Sequence, residues 1–513
     1  MIKFLKKHLN LIGHRVFLVP LIMIIQIAII FLMTFEFYSY FIVFYIICTI
    51  FSLLMVLHIV NSRANPGYKI AWIIPVMAFP IFGLLLYVLF GGNQLSKRQK
   101  DKMRNIYYKQ FKYKDNHNIV MSELRYDNLS AYNQVKYISD YSLTNVCKHT
   151  KTTYLSNGKN YYNKLLEIIK SAKKYIFLEY FIIGEGKMWN TILDILKQKA
   201  QEGVEVRVIY DDFGCIMTLP NHYDKILEKE GIKAAVFNRF VPNLKSKFNN
   251  RDHRKIAIID GHIAFTGGIN LADEYINEKV RFGHWKDNGI MLEGEAVWNF
   301  TVLFLSMWDF IKEEDEDYEK YHSSYEYETS SDGYVIPYAD SPWDSEAVGE
   351  IVYLNLIGKA NKYIYITTPY LVLDNEMLTA LCMAAKRGVD VRIITPGIPD
   401  KKIVSEVTKA YYDQLLESGV RIYEYTKGFI HSKTFVVDDE YSTIGTVNLD
   451  YRSLYLHFEC GVWLYDCSVI YTIKKDFTST LKECREIKLK NLGKLTWFNS
   501  LKRQILKAFA PLM

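Results

Sequence analysis

Two stretches of this chain repeat one pattern, and the repetition constrains the fold more than any other feature. His253-Arg-Lys255 is followed by four apolar residues and Asp260, then by Gly267-Gly268 and Asn270. His431-Ser-Lys433 is followed by four residues and Asp438, then by Gly445-Thr446 and Asn448. Both read His-x-Lys-x4-Asp-x6-Gly-(Gly/Thr)-x-Asn. One short copy can arise by chance, but two copies extended alike point to a duplicated body. The flanks agree. Residues 175–182 form a β-branched and aromatic run, 192–200 an amphipathic helix pattern and 204–210 a second strand, and the series returns at 363–370, 377–385 and 389–394. This alternation predicts an α/β fold of two repeats, each a mostly β-sheet core flanked by helices.

The spacing inside each motif points to a chemistry. Residues 256–259 and 434–437 are strand formers. On a strand, positions i and i+2 face the same way, so His253 and Lys255 project into one pocket, as do His431 and Lys433. The glycine turn and the asparagine beyond it could bring an amide to the same place. Two facing copies then supply two imidazoles, two ammonium groups and two amides around one centre. That set suits a phosphodiester: cations and donors hold the nonbridging oxygens, one imidazole attacks phosphorus and the other protonates the leaving oxygen. The two imidazoles must start in opposite protonation states. A metal site from these histidines and aspartates is disfavoured, because each motif aspartate points away from the face that carries its lysine.

No charged side chain occurs between Arg15 and Glu36, between Glu36 and Arg63, or between Lys69 and Lys97. Each gap is close to the ~20 residues a helix needs to cross a bilayer. Residues 1–96 therefore read as a membrane anchor of transmembrane helices. The first stretch is long and lacks a small-residue cleavage site, which disfavours a signal peptide. Lys3, Lys6, Lys7 and Arg15 hold the N-terminus inside, and Arg63 with Lys69 mark a second inside loop. Pro75, Pro80 and Gly83 interrupt the third stretch. The segment after it carries Lys97, Arg98, Lys100, Lys102, Arg104, Lys109, Lys112 and Lys114 against one acid, Asp101. Such a basic collar favours the anionic cytoplasmic leaflet. The expected topology is two true crossings with a re-entrant or shallow third stretch, a multi-pass cell-membrane protein with its catalytic region in the cytoplasm.

At 513 residues the chain is longer than one compact core usually holds. With half its residues hydrophobic and 23% charged it is no disordered chain, and a net charge of +7 is too mild to name a partner. Beyond the anchor the expected divisions are a basic juxtamembrane segment 97–150, a first repeat 151–312, a solvated acidic linker 313–345, and a second repeat 346–513. The last of these ends in an amphipathic helix, with Trp497, Leu501, Ile505 and Phe509 on one face, that suits either a membrane interface or a packed terminus. The seven cysteines never fall in a C-x-x-C pair and read as reduced thiols.

The paired motifs resemble those of the phospholipase D superfamily, and the stretches around them are similar to its cardiolipin synthases. Those stretches are residues 65–72 leading to Pro80, Gly83 and Phe90-Gly91, then Glu179-Tyr-Phe181, 250–255, Asp273-Glu-Tyr275 and 282–287, and in the second half Thr368-Pro-Tyr370, 388–392, 428–433 and 448–453. The extra apolar stretch at the N-terminus departs from the usual two-segment pattern. The resemblance implies that His253 is the nucleophile, forming a phosphatidyl-histidine, and that His431 is the general acid and then the base. It implies that Lys255, Lys433, Asn270 and Asn448 bind the phosphate, while Asp260 and Asp438, part of the catalytic motif, act as framework. The superfamily also pairs each catalytic imidazole with a carboxylate roughly thirty residues on, where Asp287 and Glu459 stand here, fixing the tautomer and stabilising the imidazolium. The reaction implied moves a phosphatidyl group from one phosphatidylglycerol to another, giving cardiolipin and glycerol. Its partners are membrane lipids rather than nucleic acid. One phosphodiester replaces another, so no cofactor, nucleotide or metal is needed. Rival readings are a hydrolase of the same superfamily that releases phosphatidic acid, a nuclease, and a noncatalytic scaffold. The absence of a sustained basic and aromatic groove disfavours the nuclease, and two intact motifs disfavour the scaffold.

Overall fold

The computed structural model describes residues 24, 28, 31–32, 40–91, 97–115, 119–239, 250–323, 325, 332–344, 346–492 and 496–512. They fall into two compact units, one holding the described residues up to 91 with 504–512, the other holding 97–239 with 250–503.

In the smaller unit the helix Phe41–Asn61 contains a 20-residue apolar window, Ile42–Asn61, long enough to cross a membrane. The Asn65 side chain accepts from the Gly67 amide, and Pro66, whose missing N–H costs nothing at a first helical position, starts the helix Pro66–Ala78. Pro80 then forbids helical geometry at Phe79, whose φ and ψ are −135° and 78°, and a new helix runs Pro80–Leu86. A Cβ on Gly83 would lie 2.1 Å from the Pro75 carbonyl oxygen, so only glycine lets the two helices meet this closely. The third apolar stretch is thus split into the helix Pro66–Ala78 and a helical run Pro80–Gly91, which ends in the π-helical turn Tyr87–Gly91, neither long enough to cross a bilayer alone. The first apolar stretch lies outside the described residues except for residues 24, 28, 31 and 32.

The larger unit is built on a duplicated sheet. Its first half contains β1 (Thr150–Leu155), β2 (Tyr175–Tyr180), β3 (Glu205–Asp211), β4 (Lys233–Phe237), β5 (Arg251–Asp252), β6 (Lys255–Ile259), β7 (Ile263–Gly267), β8 (His284–Lys286) and β9 (Gly289–Gly294). The second contains β10 (Tyr334–Asp340), β11 (Tyr363–Thr367), β12 (Asp390–Pro396), β13 (Arg421–Tyr425), β14 (Gly428–Ile430), β15 (Thr434–Val437), β16 (Tyr441–Gly445), β17 (His457–Tyr465) and β18 (Cys484–Ile487). The first sheet runs β1-β9-β7-β6-β2-β3-β4 and the second β10-β17-β16-β15-β11-β12-β13-β18, the same order with one strand added. The helices Lys187–Gln201 and Asn375–Lys386 fall where the sequence places them. One apolar core draws on both sheets, with Phe177 and Ile258 from the first, Val436 and Val462 from the second, and Phe300, Phe304 and Trp308 of the helix Val297–Lys312 between. All seven cysteines are free thiols.

Two expectations about the connecting segments need correction. The acidic stretch 313–345 is not a solvated linker throughout, because it contains β10, which pairs along its whole length with residues 459–465 of β17. Its acidic run also meets the basic segment. Lys109 Nζ lies 2.7 Å from both Asp309 and Asp315, and Lys102 pairs with Glu313. The basic residues from 97 to 112 belong to the helix Lys97–Lys112, which the larger unit holds together with the helices Ile119–Asp127 and Leu129–Ser142. Part of the charge expected to face lipid is thus matched by carboxylates of the same chain. At the other end, residues 504–512 group with the smaller unit rather than with the second repeat.

Candidate active site

Each motif histidine sits just ahead of a central strand, β6 or β15, so its lysine begins or precedes that strand and both side chains face inward. His253 and His431 are 7% exposed, and Lys255 and Lys433 at most 1%. The lysine Nζ atoms donate back to the carbonyls of their own histidines, at 2.6 Å for Lys255 to His253, and likewise for Lys433 to His431.

The carboxylates are shared crosswise between the halves. Sequence position pairs Asp287 with His253 and Glu459 with His431, but the structure exchanges them. His253 Nδ1 lies 2.9 Å from both oxygens of Glu459, and His431 Nδ1 lies 2.7 Å from Asp287 Oδ2. Short parallel ladders cause the exchange. β5 runs beside the start of β17, setting Arg251 opposite His457 and Asp252 opposite Phe458, and the His253 amide donates to the Phe458 carbonyl at 2.9 Å. In the same way β8 runs beside β14, and the His431 amide donates to the Lys286 carbonyl at 2.7 Å. A carboxylate facing Nδ1 keeps the proton there and leaves Nε2 free for chemistry.

The motif's one internal difference has a structural reason. A Cβ on Gly268 would stand 2.1 Å from Asp287 Oδ1, so glycine lets the short carboxylate approach. In the other half Thr446 takes that place, and its hydroxyl donates to the longer Glu459.

The asparagines are placed differently from each other. Asn270 Oδ1 accepts from the Ile182 amide at 3.0 Å and its Nδ2 donates to the Tyr275 hydroxyl at 2.6 Å, whereas Asn448 Oδ1 is buried without a hydrogen-bond partner. The motif aspartates are not at the centre. Asp260, at φ 50°, accepts from the amides of Lys173, Lys174 and Tyr175 at 2.7–2.9 Å, and Asp438, at φ 54°, does the same for Asn361, Lys362 and Tyr363. They tie the turn after β6 or β15 to the start of β2 or β11.

Burial and mutual repulsion keep the centre poor in charge. Burial, with Lys255 next, pushes His253 well below the ordinary imidazole value, and burial with Lys433 lowers His431 to about 4 despite Asp287. Burial also lowers Lys255 to about 8 and Lys433 to about 7, and raises the Glu459 carboxyl against the pull of Lys255 and Thr446. His253 feels the charge of Lys433, and His431 that of Lys255, so the two motifs act on one another. A phosphodiester anion placed among these groups would favour their protonated forms.

Sequence reasoning missed His457. Its ring lies 5.4 Å from that of His253, and both its ring nitrogens are buried without a hydrogen-bond partner. It stands two residues before Glu459, as Trp285 stands two before Asp287, and Trp285 lies 5.4 Å from His431. Aligning the halves on their carboxylates would have found it. His253, His457 and Glu459 carry donor atoms within 4.8 Å of one another, the kind of grouping that could hold a metal. Glu459 is already engaged by His253 and Thr446, however, and the charges of Arg452, Lys255 and Arg251 surround His457, which opposes a dication there.

A pseudo-two-fold α/β body whose halves each deliver one histidine and one lysine to a common, buried centre defines the phospholipase D-like class. A family model described as cardiolipin synthase, PLD-like domain, matches residues 165–308 and 353–481, and one described as phospholipase D-nuclease N-terminal matches 50–92. A Streptococcus mutans protein described as uncharacterized is 46% identical over 89% of this chain and 99% of its own length. Cardiolipin synthase 2 of Bacillus anthracis is 34% identical over 88% of each chain, and cardiolipin synthase of Halalkalibacterium halodurans 32% identical over 88% of this chain and 90% of its own. The fold is shared with the crystal structure of phosphatidylserine synthase from Haemophilus influenzae, at a TM-score of 0.55 and 16% identity over 74% of this chain and 98% of that one. The chain belongs to the cardiolipin synthase family of phospholipase D-like proteins, and it is an enzyme.

Proposed function

We propose that this protein joins two phosphatidylglycerol molecules into cardiolipin and glycerol. The observation that carries the reading is the pair of buried imidazoles, each held by a carboxylate on Nδ1 and flanked by a lysine. His253 Nε2 attacks phosphorus of the first lipid as the P–O bond to glycerol breaks, and protonated His431 gives its proton to the leaving alkoxide. His431, now neutral, takes the proton of a terminal hydroxyl on the second phosphatidylglycerol. That oxygen attacks phosphorus, the P–N bond breaks and His253 is regenerated. Lys255, Lys433, Asn270 and Asn448 hold the nonbridging oxygens, and Asp287 and Glu459 orient the imidazoles. No bond of higher energy is consumed, because a phosphodiester is both broken and made.

The supply of substrate fits the smaller unit. The helix Phe41–Asn61 serves as a crossing of a multi-pass anchor, the broken pair Pro66–Ala78 and Pro80–Leu86 lies shallow or re-enters, and the catalytic unit works at the cytoplasmic leaflet.

Purified protein incubated with phosphatidylglycerol and EDTA in mixed micelles, with lipids read by mass spectrometry, tests the reaction. Wild type should form cardiolipin and free glycerol, and His253→Ala and His431→Ala should form neither. Phosphatidic acid as the main product would mean that water is the natural acceptor.

A further inference from the structure

The helix Trp497–Phe509 lies beyond both matched family segments. Its apolar side chains have no place in the core: Trp497 is 78% exposed, Phe498 69% and Ile505 50%, and Leu501 is also exposed. At 100° per residue these four, with Phe509, fall on one arc, Lys502 borders it, and Lys507 and Arg503 fall on the opposite side, where Arg503 Nε donates to Glu406 Oε2 at 3.1 Å. The chain has no acidic residue after Glu486 but six basic ones: Lys488, Lys490, Lys494, Lys502, Arg503 and Lys507. The following turn Ala510–Leu512 buries Ala510 and Pro511 and packs against the helix Pro66–Ala78, which directly follows the apolar helix Phe41–Asn61 in the smaller unit.

We propose that the helix Trp497–Phe509 is an interfacial anchor that lies in the surface of an anionic bilayer, with Trp497, Phe498, Leu501 and Ile505 in the acyl boundary and Lys502 among the headgroups. Three features select a lipid surface over a protein partner. Lys502 borders the apolar arc, and Lys488, Lys490 and Lys494 precede the helix in the sequence, each worth about 1 kcal/mol near an anionic leaflet. A tryptophan on the apolar arc suits the boundary between headgroups and acyl chains. The end of the helix is moored to the segment that follows the membrane-crossing helix. A helix already tethered by a membrane crossing meets the bilayer surface at high effective concentration, so even a weak interfacial affinity holds it there. The proposal rests on the reading of Phe41–Asn61 as a crossing, which alkaline extraction of wild-type membranes tests separately.

Full-length protein with Cys48 and Cys484 replaced by serine is labelled with a nitrobenzoxadiazole dye at Leu501→Cys, Ile505→Cys or Ser500→Cys. It is then reconstituted into phosphatidylserine–phosphatidylcholine vesicles containing brominated lipid. Quenching at positions 501 and 505 should exceed that at 500 by about threefold or more. Equal, weak quenching at all three with full access to aqueous iodide would overturn the proposal, as would shielding of 501 and 505 from both quenchers, which marks a protein contact. The double variant Leu501→Glu with Ile505→Glu should lose about tenfold in activity on vesicles and keep activity in mixed micelles within about twofold. Equal loss in both media would make the helix a structural element instead.

Discussion

Replacing Asp287 by Asn and, separately, Glu459 by Gln tests the crosswise carboxylates and the order of the two histidines together. Asp287 Oδ2 stands 2.7 Å from His431 Nδ1 and both side chains are buried, so the amide inherits a dry site. An imidazolium and a carboxylate with charge centres about 4 Å apart attract by about 4 kcal/mol at an effective dielectric of about 20. The amide loses that attraction and no longer enforces the tautomer. A loss of about 3–5 kcal/mol of transition-state stabilisation is expected, about 10²- to 10⁴-fold in rate. The substrate separates the two roles. With phosphatidylglycerol the leaving alkoxide needs a proton, so both variants should be slow. From phosphatidyl-p-nitrophenol the nitrophenolate leaves without one, so on the proposed roles the single-turnover nitrophenol burst should survive in Asp287→Asn, where His431 as acid is impaired, and vanish in Glu459→Gln, where His253 as nucleophile is. The opposite outcome would make His431 the nucleophile. A loss below about tenfold in both variants with phosphatidylglycerol would refute the argument that these carboxylates act through the imidazoles.

Three further outcomes follow from the geometry. Asp438→Ala removes the acceptor of three backbone amides at a positive φ and should cost about 2–4 kcal/mol in urea unfolding, while activity per folded molecule stays within about threefold. Lys109→Ala strips a cation from Asp309, whose side chain is 4% exposed, and should destabilise by about 2 kcal/mol, against less than about 1 for the more exposed Lys102→Ala. Lys433 and Lys255 are lowered to about 7 and about 8, and a bound anion raises them again, so binding a phosphonate analogue near pH 7.5 should take up about one proton. Calorimetry in buffers of different ionisation enthalpy reads that uptake, and proton release would contradict the lowered values.

What the sequence made legible was local. The paired motifs, the strands beginning at Tyr175 and Tyr363 and the helices after them carry strong periodic signals and fall where they were expected. The carboxylate partnership was not legible, because β5, β8 and β14 are only two or three residues long and such strands leave no periodic trace. Position along the chain then suggests that each half supplies its own carboxylate. The acidic run misled for another reason. Charge runs usually face water, and nothing local shows that Asp309 and Asp315 have a partner two hundred residues earlier, at Lys109.

The crosswise exchange also bears on why the two halves stay different. If each half oriented its own histidine, the halves could diverge independently, and one could decay while the other still held a properly set imidazole. Here Asp287, directly after β8 of the first half, orients His431, and Glu459 on β17 of the second orients His253, so a change near either strand is felt by the histidine of the other half. Compensation must then run between a carboxylate and the small residue beside it within one half. Asp287 with Gly268 and Glu459 with Thr446 are two such solutions, a short carboxylate let in by a missing Cβ and a longer one held by a hydroxyl. The positions two residues before them have diverged further, to Trp285 and His457. That leaves an apolar ring beside one imidazole and a polar one beside the other, and a site built by duplication has acquired two unlike ends, as a reaction with one nucleophile and one acid requires.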